Sequence, residues 1–254
     1  MRLRPNARLF LFASVACLLL AHSSPAASPQ SFPKVLWFQA ADGQPSYQLT
    51  VSAAGDRGTI QVRATDVSRQ PGALVQTLSC PLLEEGAQHT ADELDAIRQQ
   101  FLGRVGFQDL NLDGYSDLLA PREFGANWTR FCVWLYDPRS HQFIQGKLAD
   151  DLASLSNLQV DAQRGWIIGS QISPTNPGRT VYHIEQQQKD VPGSGTLVKV
   201  QSCALQMDDG GQGVVAATAT SYEGGESIQR IPLQNANVRD AIARCDALVP
   251  STKP

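Results

Sequence analysis

The chain contains none of the short motifs that mark common enzyme active sites. It has no HExxH helix, no GxSxG turn and no glycine-rich loop that could cradle a phosphate. Only three histidines occur after residue 30, and His89, His141 and His183 are widely spaced beside ordinary turn or strand residues. The carboxylate pairs Glu84-Glu85 and Asp150-Asp151 are sequence neighbours, which point in different directions on a turn or helix. We therefore expect no catalytic residues and no enzymatic activity.

The chain also lacks an apolar run long enough to cross a membrane, which takes roughly 20 residues. Its longest apolar run, residues 9–20, follows three arginines and precedes the small residues 24–27 (SPAA). This order is typical of a secretion signal that ends in a cleavage site of small residues. Cys17 does not lie in a lipobox, because Ser14 occupies the position where leucine is expected. We therefore expect a signal peptide over residues 1–26, no lipid anchor, and an exported, periplasmic protein.

Cysteines are few, and their spacing gives no indication of a zinc site. The four cysteines beyond the signal form neither a CxxC pair nor a cluster with histidine: Cys80, Cys132, Cys203 and Cys245. An even number of cysteines in an exported chain indicates two disulfides. Sequence alone leaves three pairings open.

Positive charge is in short supply as well. Removal of the three arginines of the signal takes the formal net charge from −3 to −6. A mildly acidic chain argues against nucleic acid as a partner, because nucleic-acid binding depends on basic patches. The same charge suits a cationic partner better.

Short strands separated by turn residues dominate the remainder of the chain. Apolar and polar residues alternate over residues 47–51 and 60–62, on either side of a turn at residues 53–58 (AAGDRG). Further strands are expected at residues 74–78, 129–136, 158–160, 166–170, 180–185, 197–206, 214–220 and 228–231, the last of which ends at Pro232. The pattern predicts a mainly β fold, an antiparallel β-sandwich-like sheet stack.

One or two short helices are expected beside these strands. Residues 89–102 contain Thr90 and, three positions later, Glu93, which is the sequence signature of a capping box. Residues 238–248 form the second candidate, with apolar residues on the same side as Cys245. Cys245 should therefore face inward, ready for a disulfide.

We expect the chain to be organised in four segments. They are the signal peptide at 1–26, an N-terminal linker at 27–45, a calcium-binding β domain at 46–200, and a C-terminal hairpin and helix at 201–254 packed on that domain. Residues 190–195 (DVPGSG) mark the seam before the last segment.

Residues 107–119, FQDLNLDGYSDLL, crowd negative charge into a short segment. Oxygen ligands recur at alternate positions of this aspartate loop: Asp109, Asn111, Asp113, the backbone carbonyl of Tyr115, and Asp117. Gly114 allows the sharp turn that folds these oxygens around one centre, and ligands of oxygen alone select calcium over zinc or copper. We therefore predict one Ca²⁺ in this loop.

The aspartate loop is not a helix–loop–helix EF-hand. Ala120 occupies the twelfth position, where an EF-hand has a bidentate glutamate, and the flanking residues 105–107 and 118–119 are expected to be strands. The alternative is a solvated turn rich in aspartate and asparagine that holds no metal. The loop by itself indicates calcium but not a function.

Several segments together resemble one family of bacterial periplasmic proteins. They are the aspartate loop, the strand end at residues 134–138 (WLYDP) with Phe143, then Leu152 and Leu155, and then Gly178 and Tyr182. The chain resembles the calcium-binding immunity proteins that neutralise peptidoglycan hydrolases delivered by a bacterial-killing type IV secretion system. Their fold is similar to that of the periplasmic inhibitors of invertebrate-type lysozyme. The resemblance extends from about residue 47 to about residue 200, and the last fifty or so residues fall outside it.

The resemblance also indicates a contact segment. Lysozyme inhibitors of this general type insert an S-G-x-x-Y loop into the hydrolase cleft, and the nearest match here is residues 177–182 (PGRTVY). Proline replaces the serine, and one extra residue precedes Tyr182. We expect Gly178, Arg179 and Tyr182 to bind the partner, with Arg179 pairing with a catalytic carboxylate. The alternative for Tyr182 is simple packing on a strand.

The resemblance implies an exported, calcium-binding inhibitor that blocks a peptidoglycan hydrolase of lysozyme-like type. The alternative is a calcium-stabilised adhesion or ligand-binding β module of the periplasm or cell surface. Either protein would have Ca²⁺ as its cofactor and neither nucleic acid nor a membrane span, and the oligomeric state is left open. We also expect Cys80–Cys132, joining the segments that flank the first helix and the aspartate loop, and Cys203–Cys245, holding the C-terminal helix to the sheet.

Overall fold

The computed structural model describes residues 33–65, 70–83, 89–125, 128–171, 177–185, 193–208, 213–222 and 226–247, and the expected signal peptide lies outside these ranges. The described residues form fourteen strands and three short helices. The strands pair in an antiparallel manner in three separate sheets, so the expected mainly β, sandwich-like architecture is confirmed.

The first sheet consists of four consecutive strands that lie side by side in chain order. These are β1 (Lys34–Gln39), β2 (Ser46–Ala54), β3 (Arg57–Thr65) and β4 (Pro71–Pro81). Along β2 and β3 every second side chain is buried, among them Leu49 and Ile60, and the intervening polar side chains face outward. The alternation expected from the sequence is therefore confirmed, and it gives β2 and β3 one apolar and one polar face.

Helix α1 (Ala91–Arg104) follows the first sheet. The Thr90 hydroxyl accepts a hydrogen bond from the Glu93 backbone N–H, and the Glu93 side chain accepts one from the Thr90 backbone N–H at 2.8 Å. This is the expected capping box. The helix buries Phe101 completely, and its ring covers Gly58, where an added Cβ would overlap it.

The second sheet carries the aspartate loop. Its strands, again in chain order, are β5 (Gly106–Gln108), β6 (Asp117–Phe124), β7 (Thr129–Asp137) and β8 (Gln142–Ile144). The strands expected on both sides of the loop are thus present. Helix α2 (Lys147–Ala153), which the sequence did not reveal, follows β8 and packs against β7 through Leu148 and Leu152.

The third sheet contains the rest of the chain. It comprises β9 (Gln159–Asp161), β10 (Trp166–Gln171), β11 (Gly178–Glu185), β12 (Thr196–Met207), β13 (Val214–Ser221) and β14 (Ser227–Ala236), in that spatial order. Helix α3 (Val238–Asp246) then packs on β12, β13 and β14. The expected boundary at residue 200 falls inside β12, so the last strands continue the sheet that β9–β11 begin.

Two details of the fold differ from the sequence analysis. The expected linker contains β1, whose outward Val35 and Trp37 are as apolar as its inward Leu36 and Phe38, which hides the alternation. Strand β14 does not end at Pro232 but passes through it. Among the described strands β14 pairs only with β13, and an edge strand tolerates proline because one side of its backbone needs no ladder hydrogen bond.

Two disulfides join the elements as expected. Cys80–Cys132 connects β4 to β7, and Cys203–Cys245 connects β12 to α3. All four cysteines are buried, with Cys245 fully so. Two disulfides are typical of proteins in an oxidising compartment.

Candidate functional site

The aspartate loop lies between β5 and β6 and is wound tightly on itself. Gly114 has a positive φ of 91°, and Leu112 has one of 61°. Glycine adopts such a conformation without steric penalty, whereas leucine does so at a free-energy cost that the surrounding contacts must offset. Leu112 packs against the apolar cluster that contains the fully buried Leu110, which supplies that compensation.

Asp109, Asn111 and Asp113 fold the loop by accepting backbone hydrogen bonds. The two carboxylate oxygens of Asp109 accept from the N–H groups of Asp113 and Gly114 at 3.1 and 2.9 Å. Asp113 accepts from the N–H of Tyr115 at 2.9 Å and from the Asn111 side-chain amide at 2.8 Å. The loop backbone is therefore organised by the same side chains that were predicted to bind calcium.

Asp117 connects the loop to the neighbouring strand. Its side chain is completely buried, and one oxygen accepts from the Leu110 backbone N–H at 2.8 Å. The other oxygen accepts from the backbone N–H of Tyr136 on β7, also at 2.8 Å. Asp117 thus holds the two ends of the aspartate loop together and fixes both to β7.

Burial dominates the electrostatics of these carboxylates. It raises the pKa of Asp113 above its usual value, although the Tyr115 N–H opposes the change. Burial also raises the pKa of Asp117 to about 8, against the hydrogen bonds from Tyr136 and Leu110, and the charges of Asp113 and Asp109 raise it further. A nearby dication would favour the ionised form of each group.

The donor set fits calcium in its chemistry. All donors are oxygens, and each carboxylate oxygen that accepts one N–H retains a second lone pair for a cation. Nevertheless, no group of three or more His, Cys, Asp or Glu side chains suited to a metal ion occurs among the described residues. The loop therefore offers suitable ligands, and a calcium ion there is a proposal.

A cluster of aromatic side chains that the sequence analysis missed lies beside the aspartate loop. The Tyr136 hydroxyl lies 3.3 Å from the hydroxyl of Tyr47 and 3.3 Å from Nδ1 of His141. The Tyr136 ring also contacts the rings of Tyr115 and Phe143, with centroids 6.2 and 5.6 Å away. These residues come from three distant parts of the chain, so no local sequence signal indicates their meeting.

The expected contact segment belongs to an internal strand. Gly178, Arg179 and Tyr182 lie on β11, which pairs with β10 on one side and β12 on the other. A Cβ at Gly178 would lie 2.9 Å from the Cys203 carbonyl oxygen, so glycine permits the close approach of β12. Residues 172–176, which precede this segment, lie outside the described residues.

Tyr182 and Arg179 differ in their surroundings. Tyr182 packs on the apolar cluster that also holds Leu110, as in the alternative of simple strand packing. This packing connects β11 to the base of the aspartate loop. Arg179 is partly buried and lies across from Cys203, on the face of the sheet that α3 covers. The structure does not bring Arg179 to the aspartate loop.

A groove of about 440 Å³ opens beside Gly178. Parts of β7, β10, α3, the start of β11 and the segment that precedes β9 line it. Its walls include Phe131, Leu158, Pro177, Gly178, Val238 and Ile242. Most of these side chains are apolar, and Val238 is 38 % exposed. This groove borders the start of the expected contact segment at Pro177 and Gly178.

Within the described part of the chain, no helix is long and apolar enough to cross a membrane. Comparison of the chain with protein-family models, with curated proteins and with solved structures finds no match.

Proposed function

We propose that this chain is an exported, calcium-binding inhibitor of a peptidoglycan hydrolase of lysozyme-like type, an immunity protein of the periplasm. It acts by binding and carries no catalytic residues. The proposal rests on the resemblance of its motifs to the immunity proteins against hydrolases delivered by type IV secretion. The two disulfides agree with an oxidising compartment such as the periplasm.

One observation supports the resemblance most directly, namely that the separate motifs meet in space. Asp117 of the aspartate loop accepts its hydrogen bond from Tyr136 of the Y-D-P strand end. Phe143, the next residue of the pattern, packs on the Tyr136 ring, and Asp137 accepts the backbone N–H of Arg139 to form the turn between them. These members of the pattern are in direct contact and form one structural unit, which supports the proposal.

Calcium in this proposal is a structural cofactor. Asp109, Asn111, Asp113, the Tyr115 carbonyl and Asp117 would hold it. The ion would compensate the charge of carboxylates that burial makes costly to ionise. Because Asp117 also fixes β7, calcium would rigidify the second sheet. Strand β7 of that sheet forms part of the groove beside Gly178.

The metal is tested by calorimetry on the mature protein. Calcium should bind with a dissociation constant roughly between micromolar and millimolar, and Asp113→Ala should abolish the heat. Asp150→Ala, which removes an exposed aspartate of α2, is the control and should bind as the wild type does. At a hundredfold excess over the dissociation constant, calcium should stabilise the fold by roughly 2.7 kcal/mol. No heat in the wild type would show that the loop is a metal-free turn.

Inhibition is tested by lysis of purified peptidoglycan with hydrolases of the lysozyme and chitinase-like classes. Arg179→Ala should raise the inhibition constant tenfold or more, about 1.4 kcal/mol, if its guanidinium pairs with a catalytic carboxylate. Arg164→Ala, in the β9–β10 turn of the same sheet, is the control and should leave inhibition unchanged. If an excess of the calcium-loaded protein slows none of these enzymes, the alternative of an adhesion or ligand-binding module replaces the inhibitor.

A further inference from the structure

The outer face of the first sheet, formed by the outward side chains of β1–β4, carries an exposed aromatic platform. Phe38 points into the core, so its neighbour Trp37 points outward, and the Trp37 side chain is 45 % exposed. Val35 on the same strand and Leu74 on β4 are each 48 % exposed. A tryptophan that stays nearly half open to solvent beside other exposed apolar side chains marks this face as a candidate contact surface.

Trp37 begins a row of side chains that crosses the sheet. It pairs with Gln48 on β2, which pairs with Arg63 on β3, which pairs with Leu74 on β4. Directly paired residues project from the same side of a sheet, so these four side chains line one outer row. With strands roughly 4.8 Å apart, Trp37 and Arg63 are separated by roughly 10 Å, about the length of two linked sugar rings.

The charge of the outer face differs from that of the chain. Strands β1–β4, all of them described, contain no aspartate or glutamate, although the whole chain has 24 acidic and 21 basic residues. Of their basic residues, Arg57 and Arg63 project outward, whereas Lys34 pairs with the buried Val51 and projects inward. Arg63 donates one hydrogen bond to the Gly72 carbonyl at 3.4 Å, which leaves other N–H groups of its guanidinium for a ligand. The remaining outward side chains are amides and hydroxyls such as Thr50, Gln61 and Thr77.

We propose that the outer face of β1–β4 binds an anionic polysaccharide. The indole of Trp37 packs on the apolar C–H face of a sugar ring, Gln48 bonds to its hydroxyls, and Arg63 pairs with a carboxylate one ring further along. A protein partner fits this face less well, because its exposed apolar side chains are separated by polar ones and form no apolar interface core. This surface lies on a different sheet from Arg179, so it is independent of the inhibitor proposal.

The experiment measures binding of the full mature protein to three polymers by affinity electrophoresis and calorimetry. Polygalacturonate supplies sugar rings with carboxylates, dextran supplies uncharged sugar rings, and polyglutamate supplies carboxylates without sugar rings. We expect polygalacturonate to bind most tightly, at least tenfold more tightly than either of the others. Its affinity should fall as salt rises, because part of it is an ion pair with Arg63.

Variants then assign the contacts. Trp37→Ala should weaken polygalacturonate binding tenfold or more, Trp37→Tyr should retain most of the affinity, and Arg63→Gln should weaken binding and reduce its salt dependence. Ile228→Ala and Arg230→Gln are matched controls on exposed positions of β14, and they should leave binding unchanged. Circular dichroism should show all of these variants folded, since each changes a side chain on the sheet surface.

Three results would overturn the proposal. One is equal binding of polyglutamate and polygalacturonate, which would indicate charge alone. A second is full binding by a folded Trp37→Ala variant. The third is the absence of binding to all three polymers, with or without loss of hydrolase inhibition. Cross-linking of the wild type to a protein through this face, abolished by Trp37→Ala, would replace the glycan with a protein partner.

Discussion

The core shared by the first two sheets and the core under α3 are built from different kinds of side chain. The first two sheets share a core rich in large rings, among them Phe38, Phe101, Trp134 and Tyr136. The core under α3 contains no aromatic side chain among the described residues and consists of small and aliphatic residues around a disulfide. Buried rings remove far more apolar area from water than alanines do, so the first region has the larger packing contribution. The second region depends more on its covalent bond.

The largest effect is expected from truncation of Phe101, a fully buried ring of the first core. Phe101→Ala should lower the free energy of unfolding by about 3–5 kcal/mol, because the ring is fully buried and leaves a cavity over Gly58. Urea unfolding measures the loss, and Leu74→Ala, at an exposed position of β4, should change stability by less than about 0.5 kcal/mol. A loss below about 1 kcal/mol for Phe101→Ala would mean that the ring is not a major source of stability.

Removal of each disulfide in turn sharpens the comparison. The bridged cysteines are separated by 52 and 42 residues, so chain entropy predicts a loss of about 4 kcal/mol for each pair and a difference of only about 0.2 kcal/mol. We expect Cys203→Ala with Cys245→Ala to lower the free energy of unfolding more than Cys80→Ala with Cys132→Ala does, by more than about 0.2 kcal/mol. The alanine-rich cluster and one hydrogen bond, from the Gln201 amide to the Cys245 carbonyl at 2.9 Å, are then left to hold the end of α3.

Hydrogen exchange distinguishes the two bridges. Amides of α3 should exchange faster in the Cys203/Cys245 double variant, while amides of β2 and β3 stay protected. The Cys80→Ala with Cys132→Ala variant is the matched control, and α3 should remain protected in it. Equal exchange of α3 in both variants would show that packing alone holds the helix.

Asp117 provides an intermediate effect within the first region. Asp117→Asn keeps the size of the side chain but leaves one acceptor oxygen, so either Leu110 or Tyr136 loses the partner of its buried N–H. The free energy of unfolding should fall by about 1–3 kcal/mol, measured in EDTA so that metal binding does not contribute. Asp161→Asn, at the end of β9, should have little effect, because its side chain accepts from the backbone and guanidinium N–H groups of Arg164 in the adjoining surface turn. An unchanged stability would indicate that water replaces the lost acceptor.

The smallest expected effect is at the start of α1. Thr90→Ala should destabilise the protein by about 1 kcal/mol through loss of the cap on the Glu93 N–H. Hydrogen bonds from Thr90, first its backbone N–H and then its hydroxyl, hold the pKa of Glu93 below its usual value. The stabilisation by Glu93 is therefore present at neutral pH and disappears as the pH falls through that lowered pKa. The difference in free energy of unfolding between wild type and Thr90→Ala should become smaller in acid. A difference that does not change with pH would exclude a contribution from ionised Glu93.

Features specified by neighbouring residues could be predicted from the sequence. The capping box needs only Thr90 and Glu93, and the turn of the aspartate loop needs only its own side chains and Gly114. Both are present in the structure. The burial alternation of β2 and β3 is local in the same sense.

Features that depend on distant residues could not be predicted. Helix α2 has only seven residues and no side-chain cap at Gly146, and its Leu148 N–H instead donates to the Gly193 carbonyl from far along the chain. The cluster of Tyr136, Tyr47 and His141 likewise joins separate segments. In the candidate site, the candidate ligand residues were visible as a sequence pattern, whereas the attachment of Asp117 to β7 was not.

The Cys80–Cys132 bridge also has a mechanical consequence. It ties β4 directly to β7, so a pulling force along the chain passes through the sulfurs and bypasses the residues between them. The 52-residue separation corresponds to roughly 170–190 Å of extended chain that cannot lengthen under load. The aspartate loop lies within this shielded segment. If the loop holds calcium as proposed, the ion should stay bound in an optical-trap measurement while the rest of the molecule is extended, and leave only after a reductant opens the bridge.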